Sequence, residues 1–371
     1  MKFFRPMRLL MLTILLTLAV WAAYLWNYVV YMAEPVLIPL NKSYSGYSIV
    51  PEKTQGLKLQ QFTFTGWDGG EVLAAIAEQE GEESSRQLTI MGDLRTNPAQ
   101  RLDSIDYALI CVDWDHGIRS AIPLAESLTA AGITCVLWES RGTNNRRPYC
   151  THGLKEHADV PLLINEIIKR SGKSAPVIVA VGQGYGAGLL LQAAAVDTRI
   201  QGLISIDSYA SLRESIIRTM PDSPFTMPTL WLMDLHINSK VGYECFDVAP
   251  VESAARLSRD LPVLIINQVQ DNPVSTLDDA LTIYRQLPCD CRTIWTMRNH
   301  LDTPEATTRT ITAARLGKHD RDNTIEAGLL QDDDSTPTAI VRWLNDTFIT
   351  ALDAPPIHVP ARPLLTSESK L

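Results

Sequence analysis

A chain of 371 residues, 46% of them hydrophobic, has material for one large α/β domain of about 250–300 residues plus appendages. Its formal net charge of −9 excludes the basic footprint that nucleic-acid binding requires. A domain of this size builds its own core, so its six cysteines are not a scaffold it depends on.

Lys2, Arg5 and Arg8 precede an apolar run from Leu9 to Met32, interrupted only by Thr13, Thr17 and Asn27. A run of about 24 residues spans a bilayer as a helix and exceeds the core of a typical signal peptide. Trp21, Tyr24, Trp26, Tyr28 and Tyr31 crowd its second half, as aromatics do at a membrane interface. The basic flank keeps the N-terminus cytoplasmic, which sends the rest of the chain to the far side. A long cleaved signal peptide is the alternative. The expected anchor is residues 1–33, followed by a polar linker over 34–56 and a folded domain over 57–353.

The segment QQFTFTGWDGGEVLAAIAE, turning at Trp67-Asp68-Gly69-Gly70, predicts a β-hairpin. A charged loop is expected from Glu80 to Asp106. Strands and helices then alternate: a strand from Ala108 to Val112, a helix from Ile118 to Ala130, and a strand from Thr134 to Trp138. A helix follows from about Leu154 to Arg170, then a strand from Val177 to Val181, an apolar helix to Ala195, and a strand from Gly202 to Ile206. Residues 209–250 read as a long irregular cap, with Leu230 to Leu235 as an apolar packing patch. Pro262 to Asn267 is a strand, Thr276 to Leu287 a helix, and Arg292 to Met297 the last strand. A solvated excursion from Pro304 to Asp334 leads to a helix from Pro337 to Leu352, capped by Ser335 or Thr336. The tail, 354–371, is Pro-rich and extended. This alternation predicts an α/β fold, a mostly parallel sheet with helices on both faces.

One stretch organises the rest. PVIVAVGQGYGAGLLLQAAA, from Pro176 to Ala195, has the strand, G-x-x-x-G and helix of a nucleophile elbow. Gly182 and Gly186 stand where strand and helix come too close for a Cβ. Between them, where the nucleophile belongs, is Gly184, which has no side chain. Asp271 follows the strand ending at Asn267, and His300 follows the strand ending at Met297. The order elbow, acid, base is that of the Ser, Asp and His of a triad on this framework. An imidazole held by a carboxylate is a competent general base. The backbone N–H groups of Trp114 and Tyr185 are candidate oxyanion donors. Ser208 and Ser211 offer a displaced nucleophile that no elbow would hold.

With these features the chain resembles the α/β-hydrolase superfamily, and within it the dienelactone-hydrolase-like and serine-aminopeptidase-like esterases, over roughly residues 57–350. Glu139, Arg141 and Gly142 resemble the family's D-x-R-G, with Glu for Asp. Gly153, Glu156, Asp159 and Val160 resemble its G-x-x-E-x-x-D-V, and Asp207 to Leu212 (DSYASL) resembles the entry to the cap. Asp247 and Pro250 resemble the D-x-x-P before the penultimate strand. The resemblance implies the α/β-hydrolase fold with a small cap, and hydrolysis of an ester or amide in a small or peptide-like substrate. Two departures fall on the acyl-transfer machinery. One is Gly184. The other is the H-G pair after the third strand, whose place is taken by Val112-Asp113-Trp114, or by His116-Gly117 if the strand runs on to Trp114. Three readings follow: a non-catalytic member that binds a ligand or partner, an enzyme running on His300 and Asp271 without a covalent intermediate, and a hydrolase with its nucleophile elsewhere.

Cys111 and Cys135 fall in strands and read as buried apolar residues. Cys150 and Cys245 fall in loops and are the disulfide candidates, while Cys289 and Cys291 are too close to bridge. Cys150, His152 and His157 are spaced C-x-H-x4-H, which matches no zinc pattern, so neither metal nor cofactor is expected. The expected partners are the membrane, through the N-terminal helix, and a small or peptide-like ligand. No protein partner is legible.

Overall fold

The structure is a computed structural model that describes residues 4–37, 53–54, 56–80, 105–112, 118–138, 149–242, 244–269, 273–290, 292–299, 309–315, 327–330 and 336–348. Its first element is one long helix, α1 (Phe4–Leu37), of which Leu10–Leu37 is long and apolar enough to cross a membrane. Pro35 lies inside it, so the helix covers the first residues expected to be linker. It continues past the proline because its last carbonyls find partners in the folded domain. Cys150 N–H donates to Leu37 O over 2.9 Å, and His152 Nε2–H donates to Val36 O over 2.9 Å.

The two-residue strand β1 (Lys53–Thr54) pairs with β2 (Leu57–Thr65), which turns back into β3 (Glu71–Gln79). The turn is the expected one: Gly69 takes φ 79°, and Gly66 N–H donates to Gly70 O over 2.8 Å. Then come β4 (Tyr107–Cys111), β5 (Thr134–Trp138), β6 (Ile178–Gln183), β7 (Ile200–Ile206), β8 (Val263–Val269) and β9 (Arg292–Asn299), all parallel to their neighbours within this group. Sequences such as YALIC and TCVLW are buried almost throughout, because helices cover both faces of this part of the sheet. The strand order is β1-β2-β3-β5-β4-β6-β7-β8-β9-β10-β11, where β10 (Arg309–Arg315) and β11 (Ala327–Leu330) add antiparallel strands at the far edge. Arg292 therefore opens neither the last strand nor the sheet's edge, and part of the expected excursion is sheet.

Helices α2 (Ile122–Ala130), α3 (Asp159–Ser171) and α4 (Tyr185–Ala194) are crossovers between strands. The cap, expected to be irregular, is helical: α5 (Leu212–Thr219), α6 (Thr226–Val241) and the short α7 (Pro250–Ala254). Last come α8 (Leu277–Gln286), with a capping box between Thr276 and Asp279, and α9 (Thr336–Phe348). Residues of α2 and α9 build the core on one face, through Ala125, Leu128, Ile340 and Leu344. On the other face α3, α4 and α8 contribute Leu163, Ile164, Leu190 and Ile283. A third apolar cluster lies outside the sheet, where Val29, Ala33 and Val36 of α1 pack against Leu212, Ile216, Leu230, Met233 and Ile237 of the cap. This is the α/β-hydrolase arrangement, with α1 seated on its cap.

Among the described glycines the closest approach is at Gly186, where an added Cβ would lie 2.1 Å from Cys111 O and 2.9 Å from Val112 O. Gly186→Ala is expected to push α4 off β4 and cost about 3 kcal/mol in denaturant unfolding. Gly172→Ala, in open space at φ 67°, is expected to cost only about 1 kcal/mol.

Candidate functional site

The turn between β6 and α4 is an elbow. Gly184 sits at its tip with φ 54° and ψ −117°, a conformation that strains any residue with a Cβ. Its N–H donates to Ile206 O over 2.8 Å, and its carbonyl accepts from Gly188 N–H over 3.3 Å, so the tip is tied to β7 and to the first turn of α4. At Gly182 an added Cβ would lie 2.4 Å from Ala187 Cα. The two flanking glycines are therefore steric requirements.

The next residue, Tyr185, is buried against a turn over residues 150–153. In that turn His152 adopts φ 53° and sets its ring edge-on to Tyr185, with centroids 6.0 Å apart. The His152 carbonyl accepts from Gln192 Nε2 at 3.2 Å and from Tyr209 Oη at 3.3 Å. The buried Glu156 carboxylate folds back over the same turn, accepting from Thr151 N–H at 2.7 Å, Thr151 Oγ1 at 2.6 Å and Gly153 N–H at 2.9 Å. That explains the spacing from Gly153 to Glu156. Asp159, three residues on, accepts from Trp67 N–H at 2.9 Å and ties the first hairpin to α3.

Burial decides the charge state here. It lowers the His152 imidazole to about 4, only partly offset by its bond to Val36 O, so the ring is neutral near pH 7. Burial also pushes the Cys150 thiol and the Tyr185 phenol well up, and the Glu156 carboxylate adds to both shifts. Burial thus holds Cys150 as the neutral thiol.

Above the elbow lies a cavity of about 350 Å³. Its walls include Tyr31 and Val36 of α1, His152, Tyr185, Tyr209 and Met233 of the cap. The rear of the cap is pinned by Asp279, which accepts from Ala210 N–H at 3.1 Å and pairs with Arg218 of α5 at 2.6 Å. Asp207, at φ 50°, accepts from Gln268 N–H at 2.7 Å and fastens the end of β7 to β8.

Of the expected site residues, the structure places Gly184 and Tyr185 together at the elbow. Asp271, His300 and Trp114 lie outside the described residues, as do Glu139, Arg141, Gly142, His116 and Gly117. Of the displaced-nucleophile candidates, the buried Ser208 hydroxyl donates to Tyr209 O at 3.2 Å, while Ser211 stands at the N-cap position of α5 without a side-chain capping bond. Cys150 and Cys245, the disulfide candidates, are free thiols. Both are buried under the cap, because the segments that looked like exposed loops are packed beneath α1 and α6. His157, from the rejected zinc pattern, donates from Nδ1 to Gly153 O at 2.8 Å. His152 is weighed in the sequence only as a metal ligand, and its place beside the elbow is not legible there. The signal for that place is its position just before the G-x-x-E segment.

No protein-family model matches the chain, and no curated protein matches it. Solved structures do. The acylaminoacyl peptidase of Pyrococcus horikoshii is 16% identical, with a TM-score of 0.46, over 66% of this chain and 38% of the peptidase. An esterase of Pyrococcus furiosus is 14% identical, with a TM-score of 0.49, over 67% of this chain and 86% of the esterase. A 2,6-dihydroxy-pseudo-oxynicotine hydrolase is 11% identical, with a TM-score of 0.48, over 79% of this chain and 69% of that one. Identities of this size carry nothing about substrate, and the fold assignment rests on the chain's own strand order and elbow.

Stability is expected to depend on pH through His152. Above about pH 6.5 the ring is neutral folded and unfolded; between there and about pH 4 only the unfolded chain takes up the proton. Acid therefore removes up to about 3 kcal/mol, and the loss levels off below about pH 4. His152→Gln keeps a donor for Val36 O and cannot titrate, so its unfolding midpoint should fall less steeply across this window than that of the wild type.

Proposed function

We propose that this chain is a membrane-anchored α/β-hydrolase-fold protein that binds an apolar ligand above a vacated elbow without turning it over. The observation that carries this reading is Gly184 at the tip of the elbow, with the buried, neutral Tyr185 and His152 beside it. An elbow serves to present one reactive side chain, and here the framework remains without it. The cavity supports binding, being of ligand size and lined largely by apolar side chains.

The anchor reading draws on the last two turns of α1. Val29 and Ala33 are fully buried against the cap, and the Val36 and Leu37 carbonyls bond the turn beside the elbow. Cleaving this helix as a signal peptide would strip a wall from the cavity. With Lys2, Arg5 and Arg8 before it, the domain lies on the extracytoplasmic side.

The second reading is a His300–Asp271 dyad acting as general base on water. It is favoured by β8 and β9, adjacent and parallel, which end two residues before Asp271 and one before His300. Without a covalent intermediate such a site retains about 10³–10⁴-fold acceleration.

A serine-reactive fluorophosphonate separates these readings from one with a hidden nucleophile. No labelling of the wild-type chain is expected, and specific labelling would overturn the proposal. Gly184→Ser restores a hydroxyl at a strained position, at a cost of about 1–3 kcal/mol. Labelling of that variant alone is the expected result if the rest of the framework is still aligned.

A further inference from the structure

Helix α6 has an apolar face that its packing does not use. Leu230, Met233 and Ile237 are buried against α1 and the cap. On another flank Met227, Trp231 and Leu235 follow at i, i+4 and i+8, and they are 60%, 65% and 51% exposed. Phe225, just before the helix, extends this stripe and is 71% exposed. A contiguous patch of large apolar side chains marks a contact surface.

The other long exposed apolar surface is α1, and it says what covers the patch. Leu10, Leu12, Leu15, Leu18 and Trp21 are exposed side chains on a helix long enough to cross a bilayer. The two helices touch where Trp26 meets His236 edge-on, with ring centroids 5.4 Å apart. His236 is the neighbour of Leu235, and Trp26 belongs to the aromatic group from Trp21 to Tyr31. If that group marks the membrane interface, α6 is held at headgroup depth, with its stripe at the boundary of the acyl region.

The cavity reaches the surface at the same level. Tyr31, 72% exposed, and the exposed Thr219 both line it. Among the described residues its lining contains no Asp, Glu, Lys or Arg. A charged or strongly polar peptide entering it would lose its hydration without compensating partners, whereas an acyl chain would lose nothing.

We propose that α6 rests on the same leaflet that α1 enters, through Phe225, Met227, Trp231 and Leu235, and that the cavity behind it takes the acyl chain of a bilayer lipid. This rests on the anchor reading above, and it names the ligand class for that site.

The test uses the full chain in phosphatidylcholine vesicles containing doxyl-labelled phosphatidylcholine. An environment-sensitive fluorophore is attached in turn at Trp231→Cys, Leu235→Cys, Leu15→Cys and Val196→Cys, with the wild-type chain setting the background from native cysteines. Loss of fluorescence is expected at positions 231, 235 and 15, and none at position 196. Quenching at 15 without quenching at 231 and 235 overturns the inference and leaves the anchor standing. No quenching at 15 overturns both. For the cavity, phosphatidylcholine with a diazirine on its acyl chain should crosslink to the peptide holding residues 209–220. Ile216→Trp and, nearer the mouth, Met220→Trp should each reduce that crosslink about tenfold, as loss of a well-packed contact does. Equal crosslinking in wild type and both variants would overturn the acyl-chain assignment.

Discussion

The structure depends on one close approach. Where α4 leaves β6, the Gly186 backbone lies against Cys111 O, nearer than any side chain permits, and Gly182 is pressed against Ala187 in the same way. Those two contacts fold the chain back on itself sharply enough to raise residue 184 above the end of the sheet. They also fix Tyr185 under the turn over 150–153. An elbow this tight is costly to build and has one mechanical use, which is to hold position 184 out of the sheet. Gly184 relieves the backbone strain a side chain would impose there.

What lies above that position is shaped by α1. The helix ends by giving two carbonyls to the domain, one to Cys150 N–H and one to the His152 ring. His152 in turn presents its carbonyl to Gln192 of α4 and Tyr209 at the entrance to the cap. A single buried residue, His152, thus connects the N-terminal helix through its ring and the elbow helix and the cap through its carbonyl. Its low proton affinity follows from that role, because a ring enclosed on every side is not solvated as a cation. The same enclosure makes the cavity apolar. Helix α1 and the cavity are one packed unit in this fold, with Tyr31 and Val36 forming part of the wall.

Much of this was legible in the sequence, and the gaps have physical causes. The parallel strands showed as unbroken apolar runs because helices bury both of their faces, and the elbow showed because its glycines are sterically required. The first hairpin was fixed by Gly69 and the final helix by Pro337 in its first turn. The cap helices were hidden. Pro221, Pro224 and Pro228 crowd the start of α6, and its exposed stripe of Met227, Trp231 and Leu235 removes the polar face that marks an ordinary surface helix. Pro35 reads as a stop, yet α1 passes it because His152 and Cys150 take up its final carbonyls. Strands β10 and β11 lie in a polar stretch where the period of two is too short to stand out. Cys150 and Cys245 looked like loop residues because sequence patterning does not report the burial that α1 and α6 impose.

The central claim is that the framework of a hydrolase has been kept while its chemistry has been given up. Steady-state hydrolysis of a short-chain ester by the wild-type chain and by His300→Ala tests this most directly. The account predicts that both turn over the ester at the uncatalysed rate. Turnover by the wild type above that rate, abolished in the variant, would contradict it.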